Sequence, residues 1–326
     1  MAADLAGGTS AEFARARPDA RRRRLDRQVL TSPALIALDY YPPPPDLEPF
    51  VTTYFLMRCD ERTIADIQPA GVGILGAFMR GRGEMFIPDG RIDSSHTMNL
   101  LTPLAAAAPI LVDGPWHSFG AALSPLGWGA MTGLSASEYG NRLREAGELL
   151  GPDFTALGET MARRYGQPGF EPEHMALMFS EAIRRVLKPL PDLHVRLMGE
   201  VAAWLGESLS PTIDDLTKRA LYSPRQLQRL VDRYFGLPPK QLARKYRALR
   251  AASLLASPAT SAEDVAAIEG AFYDQSHMIR EIRLFVGRTP ARLGDQGAPL
   301  LSELIDMRNF REISPRIAPM PKGLGE

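Results

Sequence analysis

Two segments in the last third of the chain align at a constant offset of 51 residues. The first, SPRQLQRLVDRYFGLPP, covers residues 223–239, and the second, DQSHMIREIRLFVGRTP, covers residues 274–290. Ser223 and Asp274 are good N-cap residues, because their side-chain oxygens accept hydrogen bonds from first-turn amides. Each segment then reaches a glycine, which suits the left-handed position that ends a helix, and soon afterwards a proline. The repeat therefore predicts two helices with matched starts and ends.

Each predicted helix has an apolar side and a polar side. On the polar side, Arg229 and Arg280 occupy the same position of the repeat. A shorter amphipathic stretch precedes each helix, PTIDDLTKRALY in one case and SAEDVAAIEGAF in the other. The apolar positions recur at helical spacing; they are Leu227, Leu230, Val231, Tyr234 and Phe235, then Met278, Ile282, Phe285 and Val286.

Helix, tight turn and capped helix form the outline of a helix-turn-helix unit, whose second helix enters the major groove of DNA. Any amphipathic surface helix also has a polar side, so one copy alone would carry little weight. Two copies in register, with matched caps and stops, favour the helix-turn-helix interpretation.

Residues from about 205 to 294 resemble the DNA-binding domain of the AraC/XylS family of bacterial transcription regulators, in which a long helix joins two helix-turn-helix units. The stretch PPKQLARKYRALRAASLLAS (238–257) resembles the linker helix, and FYDQSHMIREIRLFVGRTP (272–290) resembles the second recognition helix with its signature end. The resemblance assigns DNA contacts to Ser223, Arg225, Gln226, Gln228, Arg229, Gln275, Ser276, His277 and Arg280.

These side chains suit DNA chemically. Arginine pairs bidentately with guanine and glutamine with adenine, while amides at a helix N-terminus favour phosphate. For His277, a DNA contact and a packing role both stay open. On one rigid linker, the two helices are expected to enter major-groove faces roughly 34 Å apart. The residues expected to discriminate bases are Arg225, Gln228, Arg229, Gln275 and Arg280.

The second unit departs from the family pattern in its turn. In VAAIEGAFYDQ, Ala271 precedes Phe272, and the stretch is one residue longer than the pattern. In the first unit, Thr217 replaces the usual alanine. The departure bears on how the second unit docks on DNA and how much sequence it reads.

The first half of the chain has a different residue pattern. Between about 47 and 137, glycine and proline separate short apolar runs, which predicts a β-rich domain. PPPPDLEPFVTTYF, IPDG and SFGAALSPLGW resemble the loosely cupin-like sensing domain of a subset of these regulators. The aromatic and imidazole side chains there belong either to a pocket or to the core; they are His96, Trp116, His117 and Trp128.

Several other functions find little support. GVGILG (71–76) has the dinucleotide-binding spacing but lacks the flanking strand and helix that the motif needs. The five histidines show no metal-ligand spacing, so neither a metal nor a cofactor is expected. Prolines and glycines within 94–137 argue against a membrane helix. The single cysteine, Cys59, fits a reducing cytoplasm.

We therefore predict an α+β multidomain protein, with a β-rich, loosely cupin-like N-terminal domain followed by an all-α C-terminal domain with two helix-turn-helix units. The predicted division is a mobile tail at 1–35, a β-rich sensing domain at 36–150, connecting helices at 151–200, an AraC-type DNA-binding domain at 201–296 and an irregular tail at 297–326.

The predicted function is a cytoplasmic, non-enzymatic transcription regulator that binds double-stranded DNA and responds to an effector. A small-molecule effector, RNA polymerase and a second copy of the chain remain candidate partners, and the choice between activator and repressor is open. One alternative is a small-molecule-binding protein or enzyme whose helical C-terminus serves oligomerisation. Another is a ligand-binding module that has lost DNA binding.

Overall fold

The computed structural model describes residues 36–293, 298–307, 309, 312 and 317–325; the predicted tail at 1–35 lies outside them. The strands are β1 Ile36–Tyr41, β2 Val51–Cys59, β3 Thr63–Gln68, β4 Ile74–Phe86, β5 Ile92–Ser94, β6 Met98–Leu101, β7 Ala108–Leu123 and β8 Leu143–Glu145. The helices are α1 Pro125–Thr132, α2 Ala136–Tyr139, α3 Ala146–Leu150, α4 Pro152–Arg164, α5 Pro172–Val186, α6 Asp192–Glu207, α7 Ile213–Arg219, α8 Pro224–Phe235, α9 Pro239–Ala256, α10 Ala262–Gly270, α11 Gln275–Val286 and α12 Pro299–Ile305.

The strands form one antiparallel sheet in the order β1-β2-β7-β4-β6-β8, with β3 paired to β7 and β5 to β4. Strand β7 is 16 residues long and pairs with β2, β3 and β4. The GVGILG stretch leads into β4 of this sheet rather than into a helix. The predicted fold class, a β-rich region followed by a helical region, is confirmed.

The two faces of the sheet have different partners, because successive residues of a strand point to opposite sides. From β2, Tyr54 packs against Phe179 of α5 and its hydroxyl lies 2.8 Å from the Ser180 hydroxyl. Its neighbours Phe55 and Met57 belong to the opposite face, which lines a cavity of about 170 Å³.

Of the four side chains considered for a pocket, Trp116 lines this cavity. Trp128 is buried in the core on the other face of the sheet. His117 places its Nε2 at 2.9 Å from Asp60 Oδ1, and His96 is exposed. Trp116 is therefore the side chain of the four that remains a candidate for lining a pocket.

The C-terminal helices pack around α9, whose 18 residues include eleven that are buried. Helix α6 contributes Leu197, Val201 and Trp204 to the same core, so the boundary predicted at residue 201 falls within a helix. None of the described helices combines the length and hydropathy needed to span a bilayer.

The segment after the second unit contains structure where an irregular tail is predicted. Helix α12 begins on the sheet domain, where Asp66 accepts hydrogen bonds from the backbone N–H groups of Leu300, at 2.8 Å, and Leu301, at 3.1 Å. Further along, Ile305 O accepts from the Ser253 hydroxyl of α9 at 2.6 Å. A helix of this length is stabilised by tertiary contacts rather than by its own propensity, which is why the local pattern does not predict it.

The Asp66 carboxyl gives the protein a pH-dependent stability. Burial raises the pKa of Asp66 to about 6, against the opposing effect of its hydrogen bonds and of the Arg288 charge. The folded state binds the carboxyl proton of Asp66 more strongly than the unfolded state does. The stabilisation that this proton gives the folded state is therefore fully present below the ordinary pKa of 3.8, and it is lost as the pH rises through 6. We expect the wild type to lose about 2 kcal/mol relative to Asp66→Asn between pH 4 and 7.5, as measured by urea unfolding. A constant difference between the two proteins would contradict this assignment.

Candidate nucleic-acid interface

The first recognition helix, α8, begins with a capping box. Ser223 Oγ accepts a hydrogen bond from the Gln226 backbone N–H at 3.4 Å, and Gln226 Oε1 accepts from the Ser223 N–H at 3.3 Å and from its hydroxyl at 2.9 Å. The helix ends at Gly236, whose φ of 78° is left-handed. Ser223 and Gln226 are exposed and fix the start of the helix.

The exposed side of α8 carries Arg225, Gln228 and Arg229, behind which the predicted apolar stripe is buried. Neither arginine forms an ion pair or a side-chain hydrogen bond with any residue that the structure describes. Both guanidinium groups are therefore available to phosphates or base edges.

The second recognition helix, α11, begins at Asp274, whose Oδ1 accepts a hydrogen bond from the His277 backbone N–H at 2.6 Å. Gln275, Ser276 and Arg280 are exposed, and within the described residues Arg280 has no ionic partner. Like α8, the helix ends in a left-handed glycine. The two units thus present exposed polar side chains from matched positions.

His277 differs from these neighbours because it belongs to an ionic cluster around the buried carboxylate of Glu281. Its Nε2 lies 2.9 Å from Oε1 of Glu281, a side chain that is 1% exposed. The same carboxylate accepts hydrogen bonds from Arg244 Nε at 2.5 Å and Arg247 Nη2 at 2.6 Å, both on α9. The His277 ring also stands edge-on to Phe272 at 6.1 Å between centroids. The histidine joins α11 to this cluster.

This cluster is not among the features predicted above, although the sequence carries a signal for it. Glu281 occupies the repeat position at which the first unit has Leu230, one of the buried apolar residues of α8. A carboxylate in an apolar stripe requires a buried cation. Arginines on the linker helix are the available partners.

The turns of the two units have equal length. Residues 220–223 join α7 to α8, and residues 271–274 join α10 to α11. Helix α7 has seven residues after its N-cap Thr212, whereas α10 has nine after its N-cap Ser261. The additional residues of the second unit therefore lie in its first helix, and the recognition helix follows after the same four residues.

The sheet domain contacts the end of each recognition helix. The last turn of α11 accepts two hydrogen bonds from it, Ala70 N–H to Phe285 O at 2.7 Å and Ala107 N–H to Leu284 O at 2.9 Å. At α8, a Cβ on Gly129 of α1 would lie 2.5 Å from the Tyr234 ring, so only glycine permits this approach. The position of both helices is therefore tied to the domain that contains the cavity.

A second contact joins the cavity to the linker helix. Glu312 lines the cavity, and its carboxylate accepts hydrogen bonds from Val72 N–H at 2.8 Å and from the Tyr246 hydroxyl at 2.8 Å. Lys245 Nζ lies 3.9 Å from the same carboxylate and is 2% exposed. Burial lowers the pKa of Lys245 below its ordinary value, against the opposing effect of Glu312.

Comparison with known proteins finds one family profile and several solved structures that are similar to this chain. Residues 216–296 match the family profile described as a helix-turn-helix domain, and a search of curated proteins found no match. ToxT from Vibrio cholerae aligns with a TM-score of 0.44 and 12% identity over 74% of this chain and 97% of that chain. ToxT bound to (E)-4-(8-methylnaphthalen-1-yl)but-3-enoic acid gives 0.43 and 11% over 74% and 98%. The AraC-like transcriptional activator CuxR gives 0.29 and 11% over 87% and 94%.

The matched profile, which runs from α7 to just beyond α11, coincides with the two capped helices and their exposed polar sides. The chain is a helix-turn-helix DNA-binding transcription regulator. Its DNA-binding domain is of the AraC/XylS type, and the resemblance found in the 51-residue repeat is confirmed.

Proposed function

We propose that α8 and α11 hold DNA together, with Arg229 and Arg280 as the principal contact of each helix. The observation that carries this proposal is that both arginines are exposed and ionically unpaired among the described residues, at the same position of the repeat. Guanidinium groups on groove-facing helices bind guanine edges or phosphates. The role requires no catalysis.

The remaining predicted contacts divide by their geometry. Arg225 and Gln228 on α8, like Gln275 and Ser276 on α11, are exposed beside the two arginines and are proposed to contact DNA directly. Three others are already bonded within the protein, and we propose that they set the position of the helices as well as flank the DNA; they are Ser223, Gln226 and His277.

The double substitution Arg229→Ala with Arg280→Ala tests this proposal. Since each good contact contributes about 1–3 kcal/mol, we expect the affinity for a duplex enriched from a random pool by the full chain to fall about 100-fold or more. Fluorescence anisotropy at several salt concentrations measures both the affinity and the number of counterions released.

A matched control removes the same charge elsewhere. Arg163 on α4 and Arg185 on α5 are 66% and 64% exposed, and each has a weak ion pair within its own helix. Arg163→Ala with Arg185→Ala is expected to bind the duplex within about twofold of the wild type. Equal binding by the two double variants would refute the assignment of the recognition helices.

We also propose that the sheet domain senses an effector in the cavity between its strands and the C-terminal segment. The cavity wall includes Phe55, Trp116 and Leu304, which suits an apolar molecule. Two parts of that wall contact the DNA-binding domain directly, Ala70 through α11 and Glu312 through α9. An occupant that shifts either part changes the placement of a recognition helix.

This role places the protein in the cytoplasm, where DNA and RNA polymerase are accessible. A second copy of the chain is a further proposed partner, although two recognition helices on one linker allow a single chain to span a site. Light scattering of the free and DNA-bound protein measures the number of copies of the chain. Binding to purified RNA polymerase, measured by co-elution from a sizing column, tests the proposed contact with the polymerase.

A further inference from the structure

The turn before each recognition helix contains two consecutive apolar or aromatic residues, and the two turns differ in which of the two is buried. In the first unit, Leu221 is 65% exposed, while Tyr222 is half-buried with its ring 6.4 Å from that of His194. In the second unit, Phe272 is buried and Tyr273 is 92% exposed. The two tyrosines occupy the same position of the repeat, directly before the N-cap, but only the second one projects into solvent.

The ionic cluster of the second unit explains this exchange. The Arg247 guanidinium lies over the Phe272 ring, with its Cζ 4.7 Å from the ring centroid. The same ring stands edge-on to His277. Both of these partners bind Glu281, which the first unit replaces with an apolar residue. Phe272 therefore fills the buried place in this turn, and the next side chain, Tyr273, points outward.

The exposed tyrosine stands at the end of the helix that faces DNA. Its neighbours Gln275 and Ser276 begin the exposed side of α11. The Tyr273 hydroxyl forms no hydrogen bond with any residue that the structure describes. A single exposed aromatic residue is ordinary on a protein surface, so the position and the free hydroxyl distinguish this one.

We propose that Tyr273 is a DNA-backbone contact of the second unit, in which its hydroxyl donates a hydrogen bond to a phosphate oxygen beside the groove that α11 enters. The inference rests on the proposed DNA-binding role of α11. Tyrosine is among the side chains that bind phosphate oxygens, and such contacts fix orientation without reading sequence. Because the phenol is neutral, the contact releases no counterion. The first unit lacks it, since Tyr222 is turned toward His194.

The test compares Tyr273→Phe with Tyr222→Phe in the full chain. Both variants lose one hydroxyl and keep the ring, so thermal unfolding of Tyr273→Phe is expected to match the wild type. The probes are the fluorescein-labelled duplex enriched by the full chain and a scrambled duplex of the same length and composition. Anisotropy titrations at 50, 100 and 200 mM salt, conditions over which phosphate contacts respond strongly, give the affinity and its salt dependence.

We expect Tyr273→Phe to weaken binding to both duplexes by about threefold to tenfold, the effect of one hydrogen bond, with the slope of affinity against salt unchanged. Tyr222→Phe is expected to bind like the wild type. Wild-type affinity of Tyr273→Phe for both duplexes would overturn the inference, as would a loss confined to the enriched duplex, which indicates a base contact. Failure of the DNA-binding proposal itself is distinguishable, because there the arginine double variant retains its affinity.

Discussion

Glu281→Ala is expected to lower the free energy of unfolding by about 3 kcal/mol, because it leaves the mostly buried guanidinium of Arg247 without its counter-charge. Arg247 is 14% exposed at the side chain and binds this carboxylate through Nε and Nη2. Arg244 is 39% exposed, so solvent screens part of its charge and the lower end of the range for a broken buried pair applies. Urea unfolding of the full chain, monitored by circular dichroism, measures the loss.

An exposed glutamate provides the control for this variant. Glu159 on α4 is 58% exposed and lies 3.8 Å from Arg163, so Glu159→Ala is expected to change stability by less than about 0.5 kcal/mol. A double-mutant cycle with Arg247→Ala isolates the interaction itself. A coupling energy near zero would show that Glu281 acts through packing rather than through the ion pair.

Loss of Glu281 also bears on DNA binding, because this carboxylate joins α11 to α9 through its hydrogen bonds with Arg244 and Arg247. The link fixes the direction in which Gln275, Ser276 and Arg280 project. We expect weaker binding of the enriched duplex by Glu281→Ala under conditions in which the protein stays folded. The first unit is less affected, since its recognition helix rests on apolar contacts alone at this position.

The recognition helices could be predicted from the sequence because their boundaries depend on local chemistry. Ser223 and Asp274 bind the amides of their own first turns, and each terminal glycine takes the left-handed conformation, which glycine adopts without steric cost. The apolar stripes follow from helical spacing. Each of these signals lies within a few residues of the feature it determines, so a single sequence contains all the information needed.

Contacts between distant segments could not be predicted in the same way. Asp66 binds Leu300 across 234 residues, and Glu312 binds Val72 across 240. Neither residue belongs to a motif, and an acidic residue is usually exposed. The polar roles of His277 and Glu281 likewise depend on which side of α9 carries Arg244 and Arg247, which is known only when the two helices are packed. The order of the strands in the sheet also depends on contacts between distant segments.

Glu312→Ala is expected to cost about 3 kcal/mol at pH 7, because Lys245 is buried and loses its counter-charge. Burial already lowers the pKa of Lys245, and removal of the carboxylate lowers it further. The folded state then binds fewer protons than the unfolded state, so stability rises with pH up to the ordinary lysine pKa. The deficit of Glu312→Ala relative to the wild type is therefore expected to shrink between pH 7 and 9.

The double variant Lys245→Met with Glu312→Gln separates charge from shape. It removes both charges and retains an amide oxygen that can accept the hydrogen bonds of Val72 and Tyr246, so we expect it to recover most of the stability and to lose the pH dependence. A Glu312→Ala protein within about 0.5 kcal/mol of the wild type at pH 7 would contradict the role of the pair.

Because Glu312 joins the cavity wall to the linker between the two recognition helices, the same variants also test whether the cavity is coupled to DNA binding. Altered DNA affinity in folded Glu312→Ala, with every DNA-facing residue intact, is the result expected if the cavity controls the helices.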